Sequence, residues 1–222
     1  MKLIAHILAA SLFLAPVVGH AAESSGAVPV IEMTAVDFNL DQMPWMTDAA
    51  RSYMRDRIAE YKEGKILGYV LVVSPNQIWD YRGSYSTSPI ASLEELARPA
   101  LEGCEYYNFE PCRIVSINGK STARPDGSYA QQPRMLNYDP TTFNFRRIPL
   151  IAEQDRVVAR TYRDAPMPKA FFFNTNGNWS WKNADTDANA IAEAKKACEG
   201  DPVVATCMMY AFNNTVVWEQ PR

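Results

Sequence analysis

A strand and its turn in the middle of each half of this chain are repeated. Trp79 aligns with Trp179 and Tyr81 with Trp181, at a constant separation of 100 residues. Around both lie a Phe-Asn pair, a short helical pattern ending in tyrosine, a second helix ending in cysteine, and a strand beginning with cysteine. Because a fixed-order repeat indicates one supersecondary unit used twice, the sequence predicts two copies of one small fold.

Each copy contains the pattern of a helix, a β-hairpin, a second helix and a strand. The helices show apolar residues at helical spacing, and the hairpins show two short apolar runs around a turn. In the first copy we predict these elements at 48–62, 70–81, 93–104 and 113–118, and in the second at 153–162, 170–181, 187–198 and 208–212. The pattern predicts an α+β fold of two tandem repeats, with a largely antiparallel sheet and helices packed on one face.

The N-terminal stretch is typical of a secretory signal. A charge at Lys2 precedes an apolar run, and small residues at Gly19 and Ala21 match a cleavage site after Ala21. A membrane anchor is the alternative. The predicted organisation is a signal peptide at 1–21, a flexible N-terminal arm at 22–35, a first repeat at 36–118, a linker at 119–141 and a second repeat at 142–222.

Composition and motifs exclude several classes of function. The net charge of −3 gives no basic surface for nucleic acid, and no later segment is apolar enough to span a membrane. The two histidines, His6 and His20, both fall in the predicted signal. Since the mature chain then has no imidazole, Ser-His-Asp and Cys-His catalysis are excluded, and no phosphate-binding loop or dinucleotide fingerprint is present. We therefore predict no catalytic residues, cofactor or metal.

The four cysteines occupy equivalent places in the two copies. Cys104 and Cys198 end the second helix, and Cys112 and Cys207 begin the following strand. An even count in an exported chain indicates disulfides, and we predict the pairs Cys104–Cys112 and Cys198–Cys207. A zinc site and a redox-active pair are the alternatives, although neither usually has seven or eight residues between its cysteines.

Aromatic residues supply the candidate ligand contacts. Trp79 and Trp179 belong to the repeated strands and form either a binding platform or part of the core. Tyr106, Tyr107 and Phe109 lie between two cysteines in the first copy only, and they form either a contact surface or a local apolar plug.

Acidic residues are concentrated on and after the second helix of the first copy. Paired carboxylates there would suit acid–base catalysis. We interpret them instead as a solvated helix face. They are Glu94, Glu95, Glu102, Glu105 and Glu110.

Several segments resemble a group of uncharacterised secreted proteobacterial proteins with repeated modules of an Ala-x-x-Ala-Leu-x-x-Cys helix and a cysteine-headed strand. The segments are Leu93-Glu-Glu-Leu-Ala-Arg-Pro-Ala-Leu-Glu-Gly-Cys104, Ala192-Glu-Ala-Lys-Lys-Ala-Cys198 and Tyr210-Ala-Phe-Asn-Asn-Thr-Val-Val-Trp218. The first copy departs from the pattern because it has no Val-Val-Trp ending. The resemblance implies export and bacterial origin, and it carries over no site residue.

Two functions remain open on the sequence. The first is a non-catalytic binding or structural module of the bacterial cell envelope, periplasmic or secreted, with a glycan, a peptide or an envelope protein as partner. The second is a hydrolase that uses carboxylates or a Ser/Lys pair in a cleft between the repeats. The absence of a nucleophile motif favours the first.

Overall fold

The structure is a computed structural model that describes residues 33–43, 45–85, 92–136, 142–200 and 205–219. The predicted signal peptide and most of the predicted N-terminal arm lie outside the described residues. The helices are α1 (Asp48–Lys62), α2 (Leu93–Asn108), α3 (Glu153–Asp164) and α4 (Asp187–Glu199). The strands are β1 (Ile66–Val73), β2 (Trp79–Tyr85), β3 (Arg113–Ile117), β4 (Lys120–Ser121), β5 (Lys169–Phe173), β6 (Trp179–Asn183), β7 (Met208–Phe212) and β8 (Thr215–Val216).

The α+β class and the two repeats are confirmed. The first repeat forms an antiparallel sheet in the order β2-β1-β3-β4, and the second forms one in the order β6-β5-β7-β8. Each central strand carries an irregularity at the same place in its pairing with the third strand, between Leu71 and Val72 and between Phe171 and Phe172. A final two-residue strand closes both sheets, so the first repeat extends to Ser121, into the predicted linker.

The two helices of a repeat lie against opposite faces of its sheet, rather than both on one face. Successive side chains of a strand point to opposite faces. In β1, Leu71 packs in a core with α1, whereas Val70 and Val72 pack in a separate core with α2. In β5, Phe171 belongs to the core that includes α3, and Phe172 to the core that includes α4. Each central strand is therefore buried on both sides, which explains its continuous apolar sequence.

The two hairpins share the same hydrogen bonds. The amide of Ser74 donates to the Ile78 carbonyl at 2.8 Å, and the amide of Asn174 donates to the Asn178 carbonyl at 2.9 Å. The Ser74 hydroxyl and the Asn174 side-chain oxygen accept the return bond, each at 3.0 Å. Different residues thus make one turn, because each can accept locally from the backbone.

A left-handed asparagine fixes the end of β3 and of β7. Asn118 and Asn213 have φ values of 51° and 53°, a region that asparagine tolerates better than most residues. Asn118 Oδ1 accepts from the Tyr69 amide at 2.7 Å, and Asn213 Oδ1 accepts from the Lys169 amide at 3.1 Å. These bonds set Tyr69 and Lys169 at equivalent positions, 100 residues apart.

Both predicted disulfides are present. Cys104 bonds to Cys112 with a Cα–Cα distance of 6.3 Å, and Cys198 bonds to Cys207 with a distance of 6.1 Å. Each joins the last turn of a helix to the start of the strand that follows. The described cysteines include no free thiol. The sulfurs therefore hold α2 and α4 against their sheets.

The described part of the predicted linker lies on the first repeat. Gln131 forms a bridge with Arg113, and the amide of Gln132 donates to the Cys112 carbonyl at 3.3 Å. Tyr129 packs against the core of the first repeat on its α1 side. Residues 119–135 therefore extend the first repeat, where Met135 joins the core on the α2 side, and Leu136 is the first residue that packs in the core of the second repeat.

Removing one disulfide should destabilise the chain measurably. Each bridge closes a short loop, of 8 and 9 residues of sequence separation. On the chain-entropy account such a loop contributes about 2–3 kcal/mol, so replacing Cys104 and Cys112 together by alanine should lower the free energy of unfolding by that amount. Urea denaturation without reductant measures the change.

The matched control replaces Cys198 and Cys207 together by alanine. Its loop is one residue longer, so the loss should be similar. Adding dithiothreitol should destabilise the wild-type chain and leave a variant without cysteines unaffected. A wild-type unfolding midpoint that reductant does not move would contradict the role assigned to both bridges.

Candidate functional site

Helix α2 joins the two repeats. One side of it packs on the first sheet, and residues on its other side contact the second repeat. Glu102 is 1 % exposed, and its carboxylate receives the Arg156 guanidinium from α3 at 2.9 and 3.0 Å. The Leu150 amide also donates to Glu102 Oε2, at 2.7 Å. Arg156 is itself fully buried and donates to the Ile148 carbonyl at 2.7 Å. A buried, fully hydrogen-bonded ion pair therefore crosses the boundary between the repeats.

Arg98, one turn before Glu102, extends the same network. Its Nε donates to Glu102 Oε1 at 3.0 Å, and its other nitrogens reach the Arg146 carbonyl at 3.0 Å and Glu153 at 3.5 Å. Farther along α2, Tyr106 stacks on Trp218, with ring centroids 6.4 Å apart. These contacts hold the second repeat at both ends of α2.

Neutralising Glu102 should cost more stability than neutralising an exposed acid of the same helix. Glu102→Gln removes the buried counter-charge of Arg156 and leaves only the partly exposed Glu153, 3.1 Å away, so we expect a loss of about 3 kcal/mol in the free energy of unfolding. Glu94→Gln is the control, because Glu94 is exposed in the first turn of α2. If both variants lost the same free energy of unfolding in urea denaturation, the ion pair would not have the stabilising role that we assign to it.

Two further carboxyls lie at α2: Glu105 of the helix itself, which is buried, and Asp80 of β2, which is partly buried. Glu105 accepts from the Met135 amide at 2.9 Å and from the Leu136 amide at 2.7 Å, and burial raises its pKa to about 7 despite these bonds. Asp80 of β2 lies against α2 where a Cβ on Gly103 would collide with its carboxylate. Burial raises the pKa of Asp80 to about 6, although Arg82 opposes the shift.

These two carboxyls should make stability fall as pH rises towards neutrality. Each binds its proton more tightly in the folded chain than in the unfolded chain, where the ordinary pKa values are 3.8 for Asp80 and 4.5 for Glu105. Their stabilising contribution is therefore complete below about pH 4 and is lost as pH rises through about 6 and 7. The free energy of unfolding, measured by urea denaturation, should decline between pH 5 and pH 8, as the pH passes through the raised pKa values of about 6 for Asp80 and about 7 for Glu105.

Glu105→Gln tests the assignment. We expect it to flatten the pH dependence between the ordinary and raised pKa values, whatever its effect on absolute stability. Glu110→Gln, at an exposed position just after α2, should leave the slope unchanged. A slope that survives Glu105→Gln would show that other groups cause it.

A cleft of about 360 Å³ opens beside this joint. Its walls come from α1, β2 and α2 of the first repeat and from the α3 N-terminus and the β5–β6 turn of the second. The lining residues are Tyr53, Tyr81, Arg82, Gly83, Glu95, Leu96, Pro99, Leu150, Ala152, Asp155, Asn176 and Gly177. Clefts of this size at a boundary between structural units are common sites for small molecules.

The cleft contains two carboxyl groups and one guanidinium. Asp155 lies in the first turn of α3, and burial raises its pKa although the Trp179 side chain donates a hydrogen bond to it. Glu95 lies in the first turn of α2, where its amide is capped by the Ser92 hydroxyl at 3.2 Å. Arg82 donates to the Thr175 carbonyl of the second repeat at 2.6 Å.

Two tyrosines complete the wall on the first repeat. The rings of Tyr53 and Tyr81 meet edge to face, with centroids 6.2 Å apart. Gly83 lies two residues after Tyr81 on β2, and a side chain at that position would collide with the Tyr81 hydroxyl. The cleft thus combines aromatic surface with charged groups from both repeats.

The predicted ligand contacts are divided between core and surface. Trp79 is half-buried against the first core, and Trp179 stacks on Phe171 at 5.6 Å in the second. Tyr106 is half-buried against the second repeat, whereas Tyr107 and Phe109 are 53 % and 40 % exposed. Two of these five touch residues that line the cleft: Trp79 lies against Tyr53, with ring centroids 6.0 Å apart, and the Trp179 side chain hydrogen-bonds Asp155.

The structure corrects the interpretation of the α2 glutamates as a solvated face. Glu102 and Glu105 are buried, Glu95 lines the cleft, and only Glu94 and Glu110 are exposed. The sequence contains one sign that Glu102 is not an ordinary surface acid. The equivalent position of α4, also two residues before the cysteine, is Lys196, so the two copies carry opposite charges there.

In comparisons with known proteins, no protein-family model, curated protein or solved structure matches this chain. The resemblance to secreted proteobacterial proteins therefore stays a prediction. Within the described residues, no helix has the length and apolar character needed to cross a membrane, and no three acidic, cysteine or histidine side chains come together as a metal site.

Proposed function

We propose that this chain is an exported, non-catalytic binding module of the bacterial cell envelope, and that its ligand occupies the cleft between the two repeats. The observation that carries the proposal is the composition of that cleft. Five different elements contribute to one concave surface, with charged and aromatic groups converging from both repeats.

The surroundings of the cleft support binding by a preorganised site. The buried Glu102–Arg156 pair fixes α3 on α2, and Arg82 ties β2 to the β5–β6 turn. A site held in place before binding loses little conformational entropy when a ligand arrives. Two repeats joined this way keep both walls of the cleft at a constant separation.

Export is proposed on two grounds. The N-terminal pattern, with cleavage after Ala21, resembles a secretory signal. The two disulfides fit an oxidising compartment such as the periplasm or the cell exterior.

Blocking the cleft should abolish binding. Ala152 lines it without capping α3 through its side chain, so Ala152→Trp should fill the space at little cost to the helix. We expect small molecules from a periplasmic extract to shift NMR signals of the wild-type chain at Tyr53, Tyr81 and Asn176, and to leave Ala152→Trp unchanged.

Ala59→Trp is the matched control, since Ala59 is exposed on α1 and outside the cleft. It should bind as the wild-type chain does. Shifts that persist in Ala152→Trp, or that fall elsewhere on the surface, would place the ligand at a different site.

A carboxylate hydrolase is the second candidate. One observation favours it: Asp155, with its raised pKa, shares the cleft with Glu95, as a general acid shares a site with a base. The described residues that line the cleft include neither serine nor lysine, so the Ser/Lys version has no support there. Turnover of glycosidase or peptidase substrates that disappears in Asp155→Asn would favour this candidate over the binding module.

A further inference from the structure

Negative charge in the cleft exceeds positive charge. Among the described residues that line it, Glu95 and Asp155 supply two carboxyls and Arg82 supplies one cation. Arg82 is already engaged, because its guanidinium lies 2.6 Å from the Thr175 carbonyl and 3.3 Å from the Asp80 carboxylate. Counting Asp80, and counting Arg57 over the Tyr53 ring, the cleft and its immediate surroundings have three carboxyls and two guanidiniums, so the balance of charge favours a cation over an anion.

Asp155 is the carboxyl that gains most from a positive ligand. It is half-buried, and the Trp179 side chain gives it a hydrogen bond from a neutral donor. Among the described residues it forms no salt bridge with an arginine or lysine. A carboxylate that is taken partly out of water without a counter-charge is stabilised by a cation that binds beside it.

The tyrosine wall adds a second attraction for cations. The faces of tyrosine rings attract positive charge, and this molecule already uses Tyr53 in that way. The Arg57 guanidinium lies 5.2 Å from the centroid of the Tyr53 ring. Tyr81, set edge-on to Tyr53, gives the cleft a second aromatic ring beside the carboxyls.

We propose that the cleft binds a small organic cation, a molecule that carries a protonated primary amine on a compact body, with the amine on Asp155 and Glu95 and the body against Tyr53 and Tyr81. This inference rests on the proposed binding function and specifies the chemical class of its ligand. The amine would supply the charge that Asp155 lacks, and the tyrosines and Leu96 would cover the rest of the molecule.

Matched pairs of probes test the charge requirement. Cyclohexylamine is compared with cyclohexanol, and glucosamine with glucose, by isothermal titration calorimetry near neutral pH. Each pair has the same ring and differs in the amine. We expect the amines to bind and each neutral partner to bind roughly tenfold more weakly or worse, as one charge-assisted contact is lost.

Variants assign the charge to its residues. Asp155→Asn keeps an acceptor for Trp179 and removes the charge, and Glu95→Gln keeps the amide that Ser92 caps. Each should weaken amine binding roughly tenfold and change the neutral probes little. Asp56→Asn removes the same charge from an exposed position of α1 outside the cleft, and it should bind like the wild-type chain. Thermal unfolding checks that each variant is folded. If Asp155→Asn does not fold, Glu95→Gln still tests the charge requirement.

The outcomes separate this inference from the function on which it rests. Neutral probes that bind as tightly as the amines, and are blocked by Ala152→Trp, would keep the cleft as a binding site and overturn the cation. If neither amine binds while extract components still shift the NMR signals of the cleft residues, the cleft again remains a binding site and the cation is overturned. If neither probes nor extract respond to Ala152→Trp, the cleft is not a binding site and both proposals fail.

Discussion

The buried pair of Glu102 and Arg156 is the contact on which the arrangement of the two repeats depends. Glu102 is held by a guanidinium, a backbone amide and Arg98, so its charge is matched by donors from both repeats. A buried pair of this kind adds little net stability compared with apolar residues of the same size, but leaving one member alone is costly. Its main effect is therefore specificity: α3 has one low-energy position on α2.

That position determines what the cleft contains. The Leu150 backbone has a φ of 67°, which is unfavourable for leucine, and its amide is directed to Glu102. Leu150, Ala152 and Asp155 follow in one short segment, and all three line the cleft. The interaction that orients the second repeat thus also brings Asp155 opposite the tyrosines of the first.

Local and repeated patterns were readable from the sequence, and contacts between the copies were not. The hairpins, the Ser92 cap and both disulfides depend on residues close together in the chain, and the repeat gave each of them twice. Which face of the sheet each helix covers was harder to predict. A strand that is apolar on both sides gives no sign of which helix packs on which face. Glu102 and Glu105 were misread because the polar side of their helix is covered by protein instead of water: Glu102 binds Arg156 of the second repeat, and Glu105 binds the backbone of the linker segment.

The cleft could not be predicted for a related reason. Its residues lie between 53 and 177 in the chain and meet only after the repeats dock. None belongs to a ligand-binding motif, and Asp155 stands in the first turn of α3, where acids are common because they stabilise the helix N-terminus.

The docking of α2 on the second repeat uses different surfaces on its two sides, so it is a head-to-tail contact. Repeats joined in this way can be extended at either end, as in solenoid proteins. The receiving feature is present in the first repeat as well, where Arg51 donates to the Met43 carbonyl as Arg156 does to the Ile148 carbonyl. The donating feature is not: α4 has the exposed Lys196 where α2 has Glu102. A lysine cannot accept a hydrogen bond from an arginine, so the exposed face of α4 lacks the buried acceptor with which α2 holds the second repeat.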